Sequence, residues 1–365
     1  MSKIKILVDA HVFDHSFQGT ATYIKGLYNS LVNDECFEIT LCARNIENIK
    51  VHFPNERFRF IQLKSESKIK RLLIEIPGII RRNQFDFAHF QYIVPFVKYC
   101  KFIDTVHDVL FLDYKSYFPF LYRLKNGILF KHSANRSDVV LTVSQYSKDR
   151  IIENFRIKEE NVFVTPNAVD IIDFNNLSDV KSKYNLKKYI LFVSRFEPRK
   201  NQIGLLKAYI SLQLFNQGYD LVFIGSKNEK IEQEEYDRLM LEIPQELKNN
   251  IKFFENMPFD DLFSFYKYAD CFVYPSFAEG FGIPPIEAAN LNCKVLCSNK
   301  TAMKDFSFFK YTFDPNNQLE FNSSLQQILN DCEYPFNEIK DEVLTKYNWK
   351  SISNNFSKIL LNKNK

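Results

Sequence analysis

Two glutamates eight positions apart, Glu279 and Glu287, flank a Gly-x-Gly turn that runs through Pro284 and Pro285 into an apolar, helix-periodic run. Proline is favoured at the start of a helix, so the turn is expected to deliver backbone N–H groups to a helix N-terminus, where unpaired donors and the dipole attract anions. That is a place for phosphate. Glu279, in the loop before the glycines, is placed to accept hydrogen bonds from ligand hydroxyls. Glu287, in the first helical turn, is placed to chelate a vicinal diol such as a ribose; charge-assisted bonds of this kind contribute about 1.5–3 kcal/mol each. A diphosphate flanked by two polyols is a sugar nucleotide. The plain alternative makes Glu287 a complement to the helix dipole and Glu279 a solvated loop residue.

Other residues bear on the same chemistry. Arg195 and Lys200 follow a strand-like run and precede a helix whose N-terminus includes Asn201. Two cations at a strand end would neutralise a diphosphate and stabilise it as a leaving group. Arg199 competes for that role, and an ordinary basic loop is the alternative. His107 closes another strand-like run and precedes Asp108; alone, a histidine there is more often a packing or surface residue than a catalytic one. Gly19 joins the loop after the first strand to a helix, a geometry in which backbone can approach a phosphate or a reacting sugar.

The run Ser276, Glu279, Gly280, Phe281, Gly282, Ile283, Pro284, Glu287, Ala288 resembles the Glu-x7-Glu motif of the retaining glycosyltransferases of family 4, which have the GT-B fold. The spacing alone is common, whereas this filling is specific. The resemblance implies donor binding by Arg195 and Lys200 and by the turn residues Phe281, Gly282 and Ile283. It places His107 against the donor sugar, with Asp108 orienting it or meeting acceptor, and makes His107 and Glu279 the catalytic pair. It further implies front-face attack with retention, the leaving phosphate taking the acceptor proton. The segment 197–201 and the His107-Asp108 pair are most similar to bacterial mannosyltransferases of polysaccharide and O-antigen assembly, so GDP-mannose is the first donor expectation, with UDP- and dTDP-sugars open. A glycan or lipid-linked glycan hydroxyl is the expected acceptor.

The match has departures. Ala21 stands where the family carries a second glycine after Gly19, Ala168 replaces glycine after Asn167, and Ser194 replaces glycine before Arg195. Ser144 lies in a segment that matches but is open to a structural reading. Asn256 replaces a glycine near the expected base pocket, and Met303-Lys304-Asp305-Phe306 replaces the family's Leu-Pro-Glu-Val. These touch donor preference more than reaction class.

Such residues need strand ends to hold them, and the chain supplies two alternating series. In the first half, short runs rich in Ile, Val and Phe alternate with helical patterns at 20–32, 68–82, 120–134 and 147–155. The second half repeats the alternation from residue 189, with helices expected at 201–215, 230–247, 260–269 and from Pro284. This is the pattern of doubly wound parallel sheets, whose ligands bind at the carboxyl ends of the strands. The expected fold class is α/β, a GT-B pair of Rossmann-like domains facing a cleft. Its parts are an acceptor domain over 1–174, a linker over 175–188, a donor domain over 189–337, and a helical segment over 338–365 that crosses back to the first domain.

Composition narrows the classes. A chain of 365 residues with 45% hydrophobic and 25% charged residues is globular and long enough for two cores. Seven scattered cysteines, without a Cys-x-x-Cys pair, argue for buried thiols rather than disulfides or zinc. With no signal-like or membrane-spanning run, a cytoplasmic protein is expected. No Asp-x-Asp motif is present, so a metal-bridged diphosphate is not supported and no cofactor or metal is expected. No Gly-x-Gly-x-x-Gly follows the first strand, which argues against a dinucleotide enzyme. Cations gather at 64–82 and again at 98–136, the second group interleaved with Phe96, Tyr99, Phe102, Phe111, Tyr114, Tyr117, Phe118, Phe120, Tyr122 and Phe130. That stretch suits peripheral attachment to an anionic membrane rather than nucleic acid; the alternative is solvated lysines over an aromatic core. A sugar-nucleotide-binding partner of a larger synthase, itself non-catalytic, is the alternative function.

Overall fold

The computed structural model describes residues 3–14, 19–169 and 177–365. It divides into two compact units, Met1–Ala168 with Tyr347–Lys365, and Val169–Lys346.

The first unit is built on seven parallel strands: β1 (Ile4–Asp9), β2 (Phe37–Ala43), β3 (Arg59–Gln62), β4 (Phe87–Gln91), β5 (Lys101–Thr105), β6 (Val139–Thr142) and β7 (Val162–Val164). Their order is β3-β2-β1-β4-β5-β6-β7, with Ile4 opposite Phe37 and Ile6 opposite Phe87. Parallel strands covered on both faces read as continuous apolar runs rather than alternating ones, and β4 is buried along its whole length. The helices between them are α1 (Gly19–Leu31), α2 (Ile46–His52), α3 (Lys68–Lys70), α4 (Ile76–Asn83), α5 (Leu110–Asp113), α6 (Phe120–Arg136) and α7 (Gln145–Phe155).

The second unit repeats the plan with six parallel strands: β8 (Lys188–Val193), β9 (Tyr219–Ile224), β10 (Ile251–Phe254), β11 (Cys271–Tyr274), β12 (Val295–Ser298) and β13 (Tyr311–Phe313). Their order is β10-β9-β8-β11-β12-β13. Its helices are α8 (Val180–Tyr184), α9 (Gln202–Ser211), α10 (Lys230–Glu242), α11 (Phe259–Tyr268), α12 (Ile283–Asn290), α13 (Gln318–Asn330) and α14 (Phe336–Lys346). In each sheet the order reverses direction once, between β1 and β4 and between β8 and β11. At such a switch point the loops diverge and leave a crevice at the carboxyl ends.

The last helix, α15 (Trp349–Asn364), packs on α1 in the first unit, where Ser30 and Ser353 hydroxyls meet at 2.7 Å and Ser357 donates to Asp34 at 2.8 Å. Gly26 makes that approach possible, because a Cβ there would lie 1.9 Å from the Trp349 ring.

The structure redraws several expectations. The expected boundary at 174 and the first two linker residues, 175 and 176, lie outside the described residues, as does Asp170. The rest of the linker is not plain connector, since it carries α8 and the start of β8. The segment expected to cross back from 338 divides: α14 stays with the second unit and α15 joins the first. The helix expected over 68–82 is interrupted by a π turn, Arg71–Glu75. Of the aromatics expected on one exposed face, Phe102, Phe111 and Phe130 are buried, whereas Phe96, Tyr99, Phe120 and Tyr122 are exposed. All seven cysteines are free thiols. Among the described residues no helix is long and apolar enough to cross a membrane.

Candidate active site

The switch point of the second sheet brings two loops together. The loop after β8 carries Arg195, Glu197, Arg199 and Lys200, and the loop after β11 carries Glu279. Glu279 is buried, with Oε1 accepting from Lys200 Nζ at 2.6 Å and Oε2 from Arg199 Nη1 at 2.9 Å. Its backbone N–H donates to Thr301 Oγ1 at 2.8 Å. Burial alone would raise this carboxyl, but the charges of Lys200 and Arg199 bring it down to about 2, so it is ionised at any working pH. Lys200 is also buried, donating to the Tyr274 hydroxyl at 3.0 Å, and burial holds its ammonium below the ordinary lysine value.

Arg195 stands differently. Its guanidinium meets Glu197 at 2.8 Å and Glu232 at 3.2 Å, with half of the side chain in solvent. The expected pair of bare cations is therefore a network: Arg195, Arg199 and Lys200 are balanced by Glu197, Glu232 and Glu279. An anion entering here would have to exchange with these carboxylates. Arg199, the competing candidate, shares the site with Lys200.

Gly282 caps α12 with φ 108, in the left-handed region that favours glycine, and a Cβ there would lie 2.3 Å from Met303 Cε. Phe281 is buried edge-on against Phe306 at 5.6 Å. The segment 303–306, a departure from the family pattern, thus packs beneath the glycine turn. Helix α12 opens at Ile283 rather than Pro284. Pro284 and Pro285 carry no N–H, so the donors at this terminus are those of Gly282 and Ile283, fewer than an ordinary helix end presents. Glu287 is the fifth helical residue, not in the first turn, and accepts from the Tyr266 hydroxyl at 3.1 Å. Asn201 caps α9 through its side chain, which accepts from Gly204 N–H at 3.1 Å. Asn256 adopts φ 51, in the left-handed region that favours glycine.

In the first unit, His107 follows β5 and is buried. Gln91, at the end of β4, accepts from its Nε2–H at 3.0 Å, which leaves Nδ1 as an acceptor. Tyr23 of α1 packs edge-on to the ring at 5.1 Å. Burial pushes the imidazole down to about 3, so it is neutral at ordinary pH. Asp108 accepts from Leu110 N–H at 3.1 Å; the group that fixes the His107 ring nitrogen is Gln91. Gly19 is the first residue of α1, and a Cβ there would meet nothing within 4 Å among the described residues, so its unit alone does not require glycine. Ser144 caps α7 by accepting from Ser147 N–H at 3.1 Å, the structural reading of that segment. Asn167 is buried.

Sequence reasoning missed Gln91, Tyr274, Thr301 and Tyr266, the polar groups that hold His107, Lys200, Glu279 and Glu287. Gln91 and Tyr274 each end a strand, and that position was the available signal.

Comparison with known proteins agrees with this architecture. Residues 17–172 match the model for Glycosyltransferase Family 4, and residues 173–347 that for Glycosyl transferases group 1. The O-antigen chain mannosyltransferase RfbU of Salmonella typhimurium is 31% identical over 197 residues, which cover 53% of this chain and 51% of that protein. The O-antigen chain mannosyltransferase B of Escherichia coli is 30% identical over 243 residues, 63% of this chain and 61% of that one. The matched region thus spans little more than half the length of these relatives. Among solved structures, Anabaena HepE in complex with UDP-glucose aligns over 98% of this chain and 100% of its own, with a TM-score of 0.77 at 14% identity, a likeness of fold. With two parallel α/β units of the GT-B kind and both family models matched in succession, the chain belongs to the glycosyltransferases described by the Glycosyltransferase Family 4 and Glycosyl transferases group 1 models.

Proposed function

We propose that this chain transfers a mannosyl group from GDP-mannose, with retention of configuration and without a metal, to a hydroxyl of a lipid-linked glycan during surface polysaccharide assembly at the cytoplasmic face of a membrane. The carrying observation is the buried cluster of Lys200, Arg199 and Glu279 at the switch point of the second sheet, where such folds bind ligands. Mannose rests on the names of the two O-antigen relatives.

In this reading Lys200 and Arg199 turn from Glu279 toward the donor diphosphate and stabilise the charge that develops as the glycosyl bond breaks. Glu279, released in part, accepts hydrogen bonds from sugar hydroxyls, and Glu287 holds the ribose. The backbone at Phe281, Gly282 and Ile283 lies along the diphosphate. His107, neutral and with Nδ1 left as an acceptor, is the catalytic candidate of the first unit. The leaving phosphate oxygen takes the acceptor proton, so no side-chain nucleophile is needed.

Thermal stabilisation by a panel of nucleoside diphosphates and their sugars tests the donor. The reading expects GDP-mannose to stabilise most and the gain to vanish in Lys200→Ala. Equal stabilisation by all sugars, unchanged in the variant, would contradict it.

A further inference from the structure

At the end of β4 the backbone adopts a conformation that its residues disfavour. Tyr92 has φ 65, in the left-handed region, where a bulky side chain is an outlier. Ile93 N–H donates to Gln91 O at 2.8 Å, which closes a γ-turn about Tyr92, and a γ-turn with positive φ at its centre is the rare, strained form. Gln91 is buried, and its Nε2 has no hydrogen-bond partner among the described residues. A buried unpaired donor is also unfavourable. Two such penalties at adjacent residues persist only where the surroundings over-determine them, and strain of this kind gathers at functional sites. These two residues lie at the switch point of the first sheet, where β4 adjoins β1.

Both residues reach His107. Gln91 Oε1 accepts from its Nε2–H at 3.0 Å, and the Tyr92 ring lies tilted against the imidazole with centroids 5.5 Å apart. Tyr92 is in turn stacked on Phe130 of α6 at 4.7 Å. Tyr23 of α1 adds an edge-on contact to the imidazole at 5.1 Å; its hydroxyl meets Thr165 Oγ1 at 2.6 Å and its ring lies against Trp349 of α15 at 6.3 Å. The ring contacts fix where the imidazole stands, while among the described residues Gln91 alone hydrogen-bonds one of its nitrogens. A neutral imidazole carries one N–H, and the group bonded to the ring decides which nitrogen holds it. With Gln91 accepting at Nε2, Nδ1 is left to accept.

We propose that Gln91 is a positioning residue for sugar transfer: presented by the strained turn at Tyr92, it holds His107 as the Nε2–H tautomer and so keeps Nδ1 an acceptor for a substrate hydroxyl. This rests on the catalytic reading of His107 above. The opposite tautomer would present an N–H at that position and reverse the direction of the bond. It would arise if the Gln91 amide stood the other way round, donating to Nε2, so the ring proton itself distinguishes the two arrangements.

The test reads the His107 ring by nitrogen NMR of the isotope-labelled full chain, its signals assigned as those missing from His107→Asn, alongside steady-state transfer from GDP-mannose. Wild type should carry the ring proton on Nε2 alone. Gln91→Leu should show both tautomers, with kcat lowered about tenfold or more and nucleoside diphosphate affinity unchanged. Gln91→Glu is the rescuing variant: its carboxylate still accepts from Nε2–H and restores the single tautomer, but it also favours the charged ring and raises its midpoint. Transfer by Gln91→Glu should therefore recover as pH rises above that midpoint and fall below it, an acid limb that wild type lacks. Around the ring stand Tyr23 of α1, Tyr92 of the turn, His89 of β4 and, on its own segment, Asp104 and Asp108; all are common to both chains, so a difference between the profiles belongs to position 91. A wild-type ring protonated on Nδ1 would overturn the proposal without any substitution. So would Gln91→Leu with the wild-type tautomer and kcat, or a Gln91→Glu profile that matches wild type, either of which would make Gln91 a packing residue. If Gln91→Leu does not fold, the wild-type ring and the Gln91→Glu profile decide. Scrambled tautomers with transfer intact mean that this inference fails alone; no transfer by wild type means that the reading beneath it fails.

Discussion

Replacing Glu279 with glutamine removes one charge from a buried cluster and nothing else of size. Its carboxyl sits at about 2 in the folded chain against an ordinary 4.5, a gap worth about 3 kcal/mol of stability at neutral pH. Because the folded value is depressed, that contribution is complete above pH 4.5 and is lost as pH falls through about 2. Lys200 works the other way: its ammonium is held below 10.5 by burial, which costs stability at neutral pH and offsets part of the gain. It does not titrate in the acid window, so the slope there belongs to Glu279. In Glu279→Gln the ammonium of Lys200 keeps the Tyr274 hydroxyl but loses its hydrogen-bonded counter-charge, and breaking a buried pair in this way costs about 3–5 kcal/mol. Urea unfolding followed by far-UV circular dichroism, from about pH 7 down to about pH 3.5, measures both effects. The variant should be less stable at neutral pH. The difference from wild type should narrow below pH 4.5, by up to about 1.4 kcal/mol per pH unit. A difference that stays flat with pH, or a variant as stable as wild type, would refute the ion-pair reasoning. Trp349, the single tryptophan, lies in the first unit and does not report on this site.

The remaining predictions concern other parts of the site. His107 should stay neutral through the working range, because burial holds it at about 3; its folded value lies below 6.5, so the stability it contributes is full above pH 6.5 and is lost as pH falls toward 3. An NMR titration of its ring with a midpoint near 6.5 would contradict the buried geometry. Lys200→Ala should weaken nucleoside diphosphate binding more than Arg195→Ala, about tenfold or more against a few-fold, because Arg195 is half exposed and held by Glu197 and Glu232. Calorimetry that ranks them in reverse would move the diphosphate toward Arg195. Transfer should persist in excess EDTA, since side-chain cations and a helix end are proposed to carry the charge; loss on chelation with rescue by magnesium or manganese would argue for a metal.

Much of the fold is legible in the chain because parallel strands covered on both faces announce themselves. Runs such as 189–193 and 271–274 are apolar throughout, and the helices between them carry their own caps, as Asn201 and Ser144 do. Element ends were harder to read. Pro284 marked the start of α12 only to within a residue, since Ile283 already has helical geometry. The π turn at Arg71–Glu75 has no compositional signature. At the site, the spacing of Glu279 and Glu287 identified the residues but not their company. Nothing in the sequence says that Arg199 and Lys200 both reach Glu279, 80 and 79 positions away, since that contact is made by the adjacency of β8 and β11. The basic-aromatic stretch was misread in part for the same reason. Phe102, Phe111 and Phe130 turn inward to the core, and the exposed apolar residues include Ile69, Leu121 and Ile128, which are not aromatic.

The most direct test of the account is transfer itself, read by the configuration of the product. The chain is incubated in EDTA with GDP-mannose and a prenyl-diphosphate glycan, and the new linkage is assigned by proton NMR. The account predicts an α-mannosyl product, retaining the configuration of the donor, that disappears in Lys200→Ala. A β-linked product would contradict retention. Nucleotide binding without transfer from GDP-mannose, UDP-sugars or dTDP-sugars would contradict catalysis and leave the chain a sugar-nucleotide-binding partner.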